Sequence, residues 1–414
     1  MLFETDVVIV GAGPAGTTTS HFLSKYNIPH IIIEKAEFPR DKICGDGLSG
    51  KVVGVLQDLH PEWIDELQAD TAHFLDSWGV RFVAPNGKAL DLPFRIDQEK
   101  PKRAPGFIGK RIHFDAFLFS KLHRGLATAF TGMTLVDVKP AADGVILRLE
   151  KNGEQIDAKA RVLIAADGDH SIVARKLAGQ RLQPSEYYAG VRAYFSNVDD
   201  LHPQNFIELH FLKEFLPGYF WIFPLPNRQA NVGVGILASD LKKQRLGIKE
   251  ILMQTVKHHP EISRRFKHAR MENPIKGWRL PLATRKRPLS GDHFLLTGDA
   301  GALIDPFTGE GIGNAMLSGQ IAAGIVQKAV KARDFSAGFL RQYDEAVYAA
   351  MWDELKLSQT LQKLVRKRWL FNFVINRILG NAQLKETFST MFHNLDNRAK
   401  LSSPWFYLRM LLNI

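Results

Sequence analysis

Cysteine is almost absent from this chain of 414 residues, which contains Cys44 alone. A single cysteine cannot form an intrachain disulfide, and this is typical of proteins from a reducing compartment. No secretory signal precedes the first predicted strand, and no apolar run approaches the ~18 residues that a membrane-spanning helix needs. We therefore expect a cytoplasmic protein that at most lies on the inner face of a membrane.

Internal repeats, low-complexity segments and metal-ligand spacings are also missing. The 14 histidines include the pair His258-His259 but no arrangement typical of a metal site, so we predict no metal. Asp169, His170 and Ser171 are adjacent in sequence and their side chains diverge, which excludes a hydrolytic triad.

The charge balance is basic, with 54 Lys and Arg against 43 Asp and Glu and a net charge of +11. From Lys363 onward there are nine basic and two acidic residues, so the excess is local. The length predicts two or three domains with a large core. We expect no nucleic-acid partner.

The opening residues predict a dinucleotide site. A short apolar strand, Asp6 to Val10, runs into a turn with Gly11, Gly13 and Gly16 at G-x-G-x-x-G spacing. The first glycine permits a tight turn, the second permits close approach of a pyrophosphate, and the third permits close helix-strand packing. The helix that follows would point its free N–H groups at the phosphates.

A second predicted strand, His30 to Ile33, ends in Glu34, about twenty residues after the glycines, where a carboxylate binds ribose hydroxyls. An acid at this position disfavours a 2′-phosphate. The order of strand, glycines, helix, strand and acid indicates an ADP-containing cofactor, either NAD or FAD.

The loop after Glu34, EFPRDKICGDG, contains the only thiol. Cys44 is either a small buried hydrophobe or a reactive thiol beside the ligand, because Gly45 and Gly47 follow it in a loop just beyond the predicted site. Arg40 and Lys42 either neutralise phosphate or are solvated.

Two later segments repeat the strand-to-loop pattern. Val162 to Ala166 reads as a buried strand that runs into Asp167-Gly168, and Phe294 to Leu296 reads as a strand that ends at Gly298-Asp299. A glycine-rich loop, Pro306 to Gly313, then leads into a helix that reaches Val330. A carboxylate at a strand end suits sugar-like hydroxyls and a helix N-terminus suits an oxyanion, which favours FAD over NAD.

The stretch from Glu186 to Pro281 is strand-rich and aromatic, and it includes a predicted hairpin, GYFWIFPLPNRQANVGVGIL. Alternation places Tyr219, Trp221 and Phe223 on one face of its first strand. Asn231, Gly233 and Gly235 share a face of the second, where glycines leave room for a ligand or a close backbone. The alternatives are an apolar ligand slot and ordinary sheet packing.

The remaining pattern is mixed. We predict one helix from about Leu48 to Asp70, a hairpin turn at Asn86-Gly87, a loop from Gln98 to Pro105, and a helix just after Arg111. The last eighty residues predict helices, in which basic residues near Lys363 precede Trp369 and other aromatics. This pattern suits either an interfacial helix on anionic lipid or a packed helical subdomain.

Three segments together, VGAGPAG with Glu34, AADGDHSIVARKL, and TGDAGALIDPFTGEGIG, resemble the FAD-binding signatures of the p-hydroxybenzoate-hydroxylase-like flavoproteins. Within that superfamily the chain is most similar to geranylgeranyl reductases, through FPRDKICGDG and the Y-x-W-x-F-P stretch at Tyr219, Trp221, Phe223 and Pro224. Related flavin halogenases carry W-x-W-x-I-P instead. The resemblance covers nearly the whole chain and is weakest in the C-terminal helices.

The resemblance implies site residues. Gly11, Gly13, Gly16 and Glu34 would contact the ADP moiety, Asp299 the ribityl chain, and Cys44 would lie over the flavin as the candidate catalytic residue. The complete set of cofactor-binding residues expected is Gly11, Gly13, Ala15, Gly16, Glu34, Lys35, Arg40, Cys44, Gly45, Arg111, Asp167, Gly168, Gly298, Asp299, Pro306, Gly309, Gly311 and Ile312. The substrate residues expected are Tyr219, Trp221, Phe223, Gly233 and Gly235.

The fold class implied is α/β plus antiparallel β. A Rossmann-like FAD-binding domain (1–75, 106–185 and 282–332) would carry an inserted antiparallel-sheet substrate domain (76–105 and 186–281) and a C-terminal helical region (333–414). The activity implied is reduction of C=C bonds in a polyprenyl lipid. Alternatives are a monooxygenase or halogenase on the same fold, and a flavoprotein that passes electrons to the quinone pool. NAD(P)H, ferredoxin and quinol all remain open as electron donors.

Overall fold

The computed structural model describes residues 3–94 and 103–386. The predicted loop from Gln98 to Pro105 lies partly outside these residues. The helices predicted over the last eighty residues lie partly outside them, because the description ends at residue 386.

The first large sheet contains the two strands predicted at the opening of the chain. With strands numbered in chain order, it consists of β1 (Glu4–Val10), β2 (His30–Ile33), β8 (Ala127–Phe130), β9 (Thr134–Ala141), β10 (Gly144–Lys151), β11 (Glu154–Ala165), β18 (Ser290–Gly291) and β19 (Phe294–Leu296). The order β19-β11-β1-β2-β8 is parallel throughout. β9 and β10 form an antiparallel meander with β11. Parallel strands covered on both faces read as continuous apolar runs, as β1 does.

The second large sheet is mainly antiparallel. It consists of β5 (Gly79–Val83), β6 (Ala89–Pro93), β12 (Tyr187–Ser196), β13 (Ile207–His210), β14 (Tyr219–Leu225), β15 (Gln229–Leu237), β16 (Arg270–Met271) and β17 (Lys276–Pro281). The order is β16-β12-β15-β14-β13-β5-β6, and β17 pairs with β12. β13 and β5 pair in parallel, so this sheet is mixed rather than purely antiparallel. A small antiparallel sheet consists of β3 (Gly47–Leu48), β7 (Phe107–Gly109) and β4 (Phe74–Asp76). In the sequence, its strands lie between strands of the two large sheets.

Helices cover the sheets. They are α1 (Pro14–Lys25), α2 (Gly50–Leu59), α3 (Glu62–Ala69), α4 (Arg111–Ser120), α5 (Ile172–Lys176), α6 (Ala238–Leu241), α7 (Ile248–His258), α8 (Pro260–Ser263), α9 (Ile312–Ala332), α10 (Ala337–Val365) and α11 (Arg368–Leu379). One core lies between the first sheet and α1, α2, α9 and α10. The second sheet packs on α7 and α8 with one face and on the ends of α10 and α11 with the other.

The contact between α1 and α9 is very close. A Cβ atom built on Gly319 of α9 would lie 2.5 Å from the carbonyl oxygen of Ala15 in α1. The hydroxyl of Thr19 donates to the carbonyl of Gly319 at 3.3 Å. The helices that follow β1 and β19 are therefore held directly against each other.

Proline divides one predicted helix. The stretch expected as a single helix from Leu48 to Asp70 forms α2 and α3, with a break at His60-Pro61. Proline disfavours helical backbone in the residue before it, so α2 ends with His60 as its C-cap, and α3 starts after Pro61.

Two predicted hairpins are confirmed. β5 and β6 pair around Asn86-Gly87, where Gly87 has a φ of +81°. β14 and β15 pair so that Tyr219 faces Gly235 and Trp221 faces Gly233.

The C-terminal helices pack inward over the described part of their length. Phe371, Val374, Ile375 and Ile378 of α11 are buried against the second sheet. Trp369, in the first turn of α11, is 69% exposed. Among residues 3–94 and 103–386, no helix combines the length and the apolar character needed to span a bilayer.

Candidate active site

A large cavity of about 1260 Å³ lies between the two sheets. The carboxyl ends of β1, β2, β11 and β19 open into it, as do the N-termini of α1 and α9. Small-molecule pockets are usually about 300–1,000 Å³, so this cavity has room for a large ligand and part of a second.

The glycine turn after β1 has the geometry that its spacing predicts. Gly11 has a φ of +97°, and a Cβ atom there would lie 2.2 Å from the carbonyl oxygen of Ala166. A Cβ atom on Gly16 would lie 1.8 Å from the carbonyl oxygen of Gly11, so only glycine lets α1 approach the turn. Gly13 is the N-cap of α1, with no side-chain cap, and lines the cavity.

Two guanidinium groups lie beside Gly13 in the cavity. A Cβ atom on Gly13 would lie 3.7 Å from Nη2 of Arg40 and 4.0 Å from Nη2 of Arg111. Arg111 donates through Nε and Nη2 to both oxygens of Asp115, at 2.5 and 2.7 Å, and Arg40 donates to Asp115 at 2.9 Å. Because both arginines are fixed by this carboxylate, Arg40 is not the freely solvated residue that the sequence left open as an alternative. Arg111 is also the first residue of α4 rather than a residue before it.

Glu34 lies at the end of β2, as expected. Its Oε2 accepts from the backbone N–H of Ala12 at 2.8 Å, and Arg40 lies 3.4 Å from the same oxygen. The carboxylate thus ties the second strand to the glycine turn and borders the cavity.

The distant segments meet on the opposite side. Asp299 lies at the end of β19 and its carboxylate lines the cavity; burial raises its pKa, and the charge of Lys42 opposes this rise. Asp167 caps α5 by accepting from the N–H of Ile172 at 2.9 Å, while its second oxygen is buried without a hydrogen-bond partner. Gly311 is the N-cap of α9 and carries no side-chain cap.

Most of the expected cofactor residues line this cavity. They are Gly11, Gly13, Ala15, Glu34, Lys35, Arg40, Cys44, Gly45, Arg111, Asp167, Gly168, Asp299, Gly309, Gly311 and Ile312. Gly16, Gly298 and Pro306 are not among its lining residues. Gly16 and Gly298 lie where helices approach closely, since a Cβ atom on Gly298 would lie 2.9 Å from the Cβ of Ala315.

The Cys44 loop forms one wall of the cavity. Cys44 is partly exposed there, and burial raises the pKa of its thiol. The charge of Arg111 opposes this rise. The carboxyl of Asp46 is fully buried, and burial raises its pKa to about 6 despite hydrogen bonds from Asn231 and Tyr194. Lys42 lies over the ring of Trp278 at 4.3 Å, and burial lowers the pKa of its ammonium.

The expected substrate residues behave differently. Phe223 lines the cavity, whereas Tyr219, Trp221, Gly233 and Gly235 do not. A Cβ atom on Gly233 would lie 2.1 Å from a ring carbon of Trp221, and one on Gly235 would lie 3.8 Å from that ring. The room that the glycines create is therefore filled by the Trp221 indole, which corrects the expectation of a ligand slot between them.

The apolar part of the cavity is formed mainly by residues that are not among the expected substrate residues. Its walls come from β5, β13 and α10, with Phe307 of the loop before α9, and the residues concerned include Val80, Phe82, Leu209, Phe307, Leu357 and Leu361. Sequence reasoning missed them. The available signals were the alternation in GVRFV and the i, i+4 spacing of Leu357 and Leu361, neither of which indicates a ligand.

A charged cluster on the same wall was also missed. Lys51 of α2 lies 2.9 Å from Oε2 of Glu354 in α10. The Oε1 of Glu310 accepts from the N–H of Gly313 at 2.7 Å, and Asp305 Oδ1 accepts from the N–H groups of Phe307 and Thr308. Burial raises the pKa of both Asp305 and Glu310. These residues come from three distant segments.

The residues present fit FAD. The part of the cavity at Gly13, next to the guanidiniums of Arg40 and Arg111, suits a pyrophosphate at a helix N-terminus. The carboxylates of Glu34 and Asp299, at the ends of β2 and β19, suit two sets of hydroxyls. Among the described residues, no group of three or more His, Cys, Asp and Glu has an arrangement that could hold a metal ion.

Known proteins agree with this geometry. The family described as FAD binding domain matches residues 4–319. A digeranylgeranylglycerophospholipid reductase from Methanocella arvoryzae is 29% identical, over 89% of this chain and 88% of that protein. Digeranylgeranylglycerophospholipid reductase 1 from Methanothermobacter thermautotrophicus is 30% identical, over 86% and 85% respectively.

The fold has also been observed before. The crystal structure of a geranylgeranyl bacteriochlorophyll reductase-like protein from Thermoplasma acidophilum superimposes with a TM-score of 0.79 at 23% identity, covering 99% of this chain and 98% of that one. Because the family match and the alignments each span most of the chain, this protein uses FAD and belongs to the geranylgeranyl reductase family of FAD-dependent oxidoreductases.

Proposed function

We propose that this oxidoreductase reduces isolated C=C bonds in the prenyl chain of a lipid. The observation that carries the proposal is the shared cavity, in which the dinucleotide-like half at Gly13 and Asp299 continues into an apolar half at Phe82 and Leu361. A reductase of prenyl lipids needs both halves in one space. The relatives named as digeranylgeranylglycerophospholipid reductases support the same substrate class.

The cofactor roles are part of the proposal. Gly11, Gly13, Ala15 and the α1 N-terminus would hold the pyrophosphate with Arg40 and Arg111, and Glu34 and Lys35 would lie by the ribose. Asp167, Gly168, Asp299, Gly309, Gly311 and Ile312 would hold the remainder, supported from behind by Gly16, Gly298 and Pro306. When bound and reduced, FAD supplies a hydride.

The chain has to supply the proton. An isolated alkene is not electrophilic, so a proton must reach one carbon with or before the hydride at the other. The proposed donor is Cys44, or a water that it orients, because its thiol lines the cavity. The charge of Arg111 opposes the rise in the pKa of the thiol, so it would stabilise the thiolate that proton transfer leaves until solvent reprotonates it. The apolar walls exclude competing water.

The division of the chain is proposed accordingly. Residues 1–75, 106–185 and 282–332 would bind FAD, and the inserted segments 76–105 and 186–281 would bind the substrate with the helical region 333–414. Phe223 would contact the prenyl chain, and Tyr219, Trp221, Gly233 and Gly235 would shape the wall behind it.

The test is anaerobic turnover of the reduced holoenzyme with a geranylgeranyl lipid, followed by mass spectrometry of the lipid. The proposal expects two hydrogens gained for each bond reduced, without oxygen. Dependence on oxygen would instead indicate the monooxygenase or halogenase alternative. Tyr219 and Phe223 argue against a halogenase, because they replace the first Trp and the Ile of the W-x-W-x-I-P stretch that halogenases carry. Quinone reduction with untouched prenyl bonds would indicate an electron-transfer flavoprotein.

Two variants test the assigned parts. Leu361→Trp should block the apolar half and lower prenyl reduction at least ~10-fold with normal FAD absorbance, since overfilling a packed cavity is unfavourable. Thr360→Trp, on the exposed side of the same helix, is the control. Cys44→Ser that retains both FAD and wild-type turnover would remove the thiol from the mechanism.

The partners are proposed from the surface of α11. Trp369 is 69% exposed next to Lys367 and Arg368, and Leu361 of the preceding helix lines the cavity. This arrangement supports peripheral contact with anionic lipid at the inner membrane face. Cosedimentation with anionic vesicles should fall in Trp369→Ala, and equal binding would dismiss the contact. Reduction of the holoenzyme by NAD(P)H, by ferredoxin or by quinol, followed by flavin absorbance, would identify the electron donor.

A further inference from the structure

The aromatic residues of β14 contact two loops of the cavity. Tyr219, Trp221 and Phe223 share one face of the strand. Phe223 contacts the loop of Cys44 to Gly47 directly, and Trp221 contacts it through Asn231. Tyr219 contacts the loop of Thr308 and Gly309. These contacts involve segments more than 80 residues away in the chain.

Trp221 acts through Asn231. The indole Nε1–H donates to Oδ1 of Asn231 at 2.9 Å. The amide nitrogen of Asn231 in turn donates to the carbonyl oxygen of Cys44 and to Oδ2 of Asp46, both at 2.7 Å. The Tyr194 hydroxyl donates to the same Asp46 oxygen at 2.7 Å. The orientation of the Asn231 amide is therefore set by Trp221, and the Cys44 loop is fixed by that amide.

Phe223 fixes the same loop by packing. A Cβ atom on Gly45 would lie 2.9 Å from a ring carbon of Phe223, and one on Gly47 would lie 3.3 Å from it. The ring thus lies where side chains at these positions would be. Gly45 and Gly47, which both follow Cys44 in the sequence, allow this contact because they have no side chains.

Tyr219 fixes the second loop. Its hydroxyl donates to the carbonyl of Thr308 at 2.6 Å, and a Cβ atom on Gly309 would lie within 2.4 Å of that hydroxyl oxygen. Gly309 has a φ of +73°, so a side chain is excluded there by conformation as well.

We propose that β14 positions the catalytic loops, and that Trp221, Asn231, Asp46 and Tyr219 are positioning residues for Cys44 and for the loop before α9. The inference rests on the proposed function for the role of Cys44. It differs from a substrate-wall role, because Trp221 and Tyr219 face the loops rather than the cavity.

The position of the loop determines the surroundings of the thiol. Lys42, Asp46 and Arg111 are charged groups that act on the pKa of Cys44. Burial is the main cause of the raised pKa of the thiol. A loop released from Asn231 would admit water, so the pKa of the thiol should move down toward its ordinary value.

The test uses the only cysteine of the chain, because alkylation by iodoacetamide then reports Cys44 alone. Rates would be measured from about pH 6 to 10 on FAD-free and FAD-loaded full-length protein, around the ordinary thiol pKa. Trp221→Phe removes one donor and keeps an aromatic ring. We expect its alkylation at neutral pH to be at least about 5-fold faster, since one hydrogen bond contributes that much, with the midpoint of its pH profile lowered.

Ile222→Val is the matched control, because Ile222 is fully buried on the opposite face of β14. Its alkylation profile should match wild type. Asn231→Ala should exceed Trp221→Phe in effect, and Asn231→Asp, which keeps an oxygen acceptor for Trp221 but loses the amide donor, should resemble Asn231→Ala. Identical profiles in Trp221→Phe, Asn231→Ala and Ile222→Val would overturn the proposal.

Tyr219→Phe tests the second loop independently. Loss of its hydrogen bond to Thr308 should weaken FAD binding to the FAD-free protein about 5-fold, the effect of one such bond, without changing the alkylation midpoint. Unchanged FAD affinity would remove Tyr219 from the proposal. Failure of the prenyl-reductase assignment would be seen only in turnover, so the two failures are distinguishable.

Discussion

Lys51 Nζ lies 2.9 Å from Oε2 of Glu354, which joins α2 to α10 across the apolar wall of the cavity. The same lysine donates to Oδ1 of Asn314 at 2.5 Å, and its charge lowers the pKa of the neighbouring Glu310 against the effect of burial. One cation thus acts on more than one partly buried carboxyl among the described residues.

Replacing this lysine should destabilise the protein in a pH-dependent way. Lys51→Met leaves the carboxyls without their cation, and we expect a loss of about 2–3 kcal/mol in the free energy of unfolding at neutral pH. The loss should shrink as the pH falls, because the carboxyls then become neutral. Urea unfolding at several pH values measures it.

Lys121→Met is the control for that experiment. Its partner Glu66 is 2.6 Å away, but the side chains are 31% and 45% exposed and the pair lies at the surface, so the change should be below about 1 kcal/mol. Equal losses in the two variants would contradict a special role for Lys51.

Asp46 should make the protein less stable as the pH rises. Its pKa is raised from 3.8 to about 6 in the folded state, so folded protein binds the proton more strongly than unfolded protein. Stability should therefore decline between about pH 4 and 6, by on the order of 3 kcal/mol, and stay level above. Asp46→Asn should flatten this decline. The same slope in both proteins would show that Asp46 is not the titrating group.

Gly16 should tolerate no side chain. Gly16→Ala places a Cβ atom 1.8 Å from the carbonyl oxygen of Gly11, so α1 must shift, and we expect a loss of more than about 3 kcal/mol together with lost FAD binding. Gly324→Ala, in an open position of α9, should instead stabilise by roughly 0.5–1 kcal/mol. Thermal unfolding and flavin absorbance of the two variants provide the comparison.

Arg111 should be needed as a guanidinium rather than as a charge. Arg111→Lys keeps the charge but cannot bind Asp115 through two N–H groups, so FAD affinity should fall about 10-fold. Arg148→Lys disturbs a similar pair with Asp157 on the exposed meander and should leave affinity unchanged. Fluorescence titration of FAD-free protein measures both, and an unchanged affinity in Arg111→Lys would contradict the assignment.

Local patterns predicted the parts of the site that depend on backbone conformation. Gly11, Gly13 and Gly16 have positions that only a tight strand-turn-helix unit explains, and Glu34 and Asp299 lie at strand ends as expected. Alternation also predicted that Tyr219, Trp221 and Phe223 share one face of β14, although the register that sets Trp221 opposite Gly233 was not predicted. Spacing within one segment is enough for each of these.

Contacts between distant segments could not be predicted. The pattern of Gly233 allowed either a ligand or a side chain above it, and only packing shows that Trp221 occupies the space. Lys51, Glu310 and Glu354 lie on three segments with no common motif, so no spacing indicates their proximity. Asp46 is only two residues from Cys44 in the sequence, but its burial depends on Tyr194 and Asn231 from the second sheet, which no local pattern indicates.

The absence of a side chain at Gly319 has a consequence for entry of a lipid. Since α1 and α9 touch backbone to side chain at that point, they should move as one rigid block, and the rim of the dinucleotide half cannot widen. The lipid of the proposed function should therefore enter through the apolar half of the cavity, whose walls come from β5, β13 and α10.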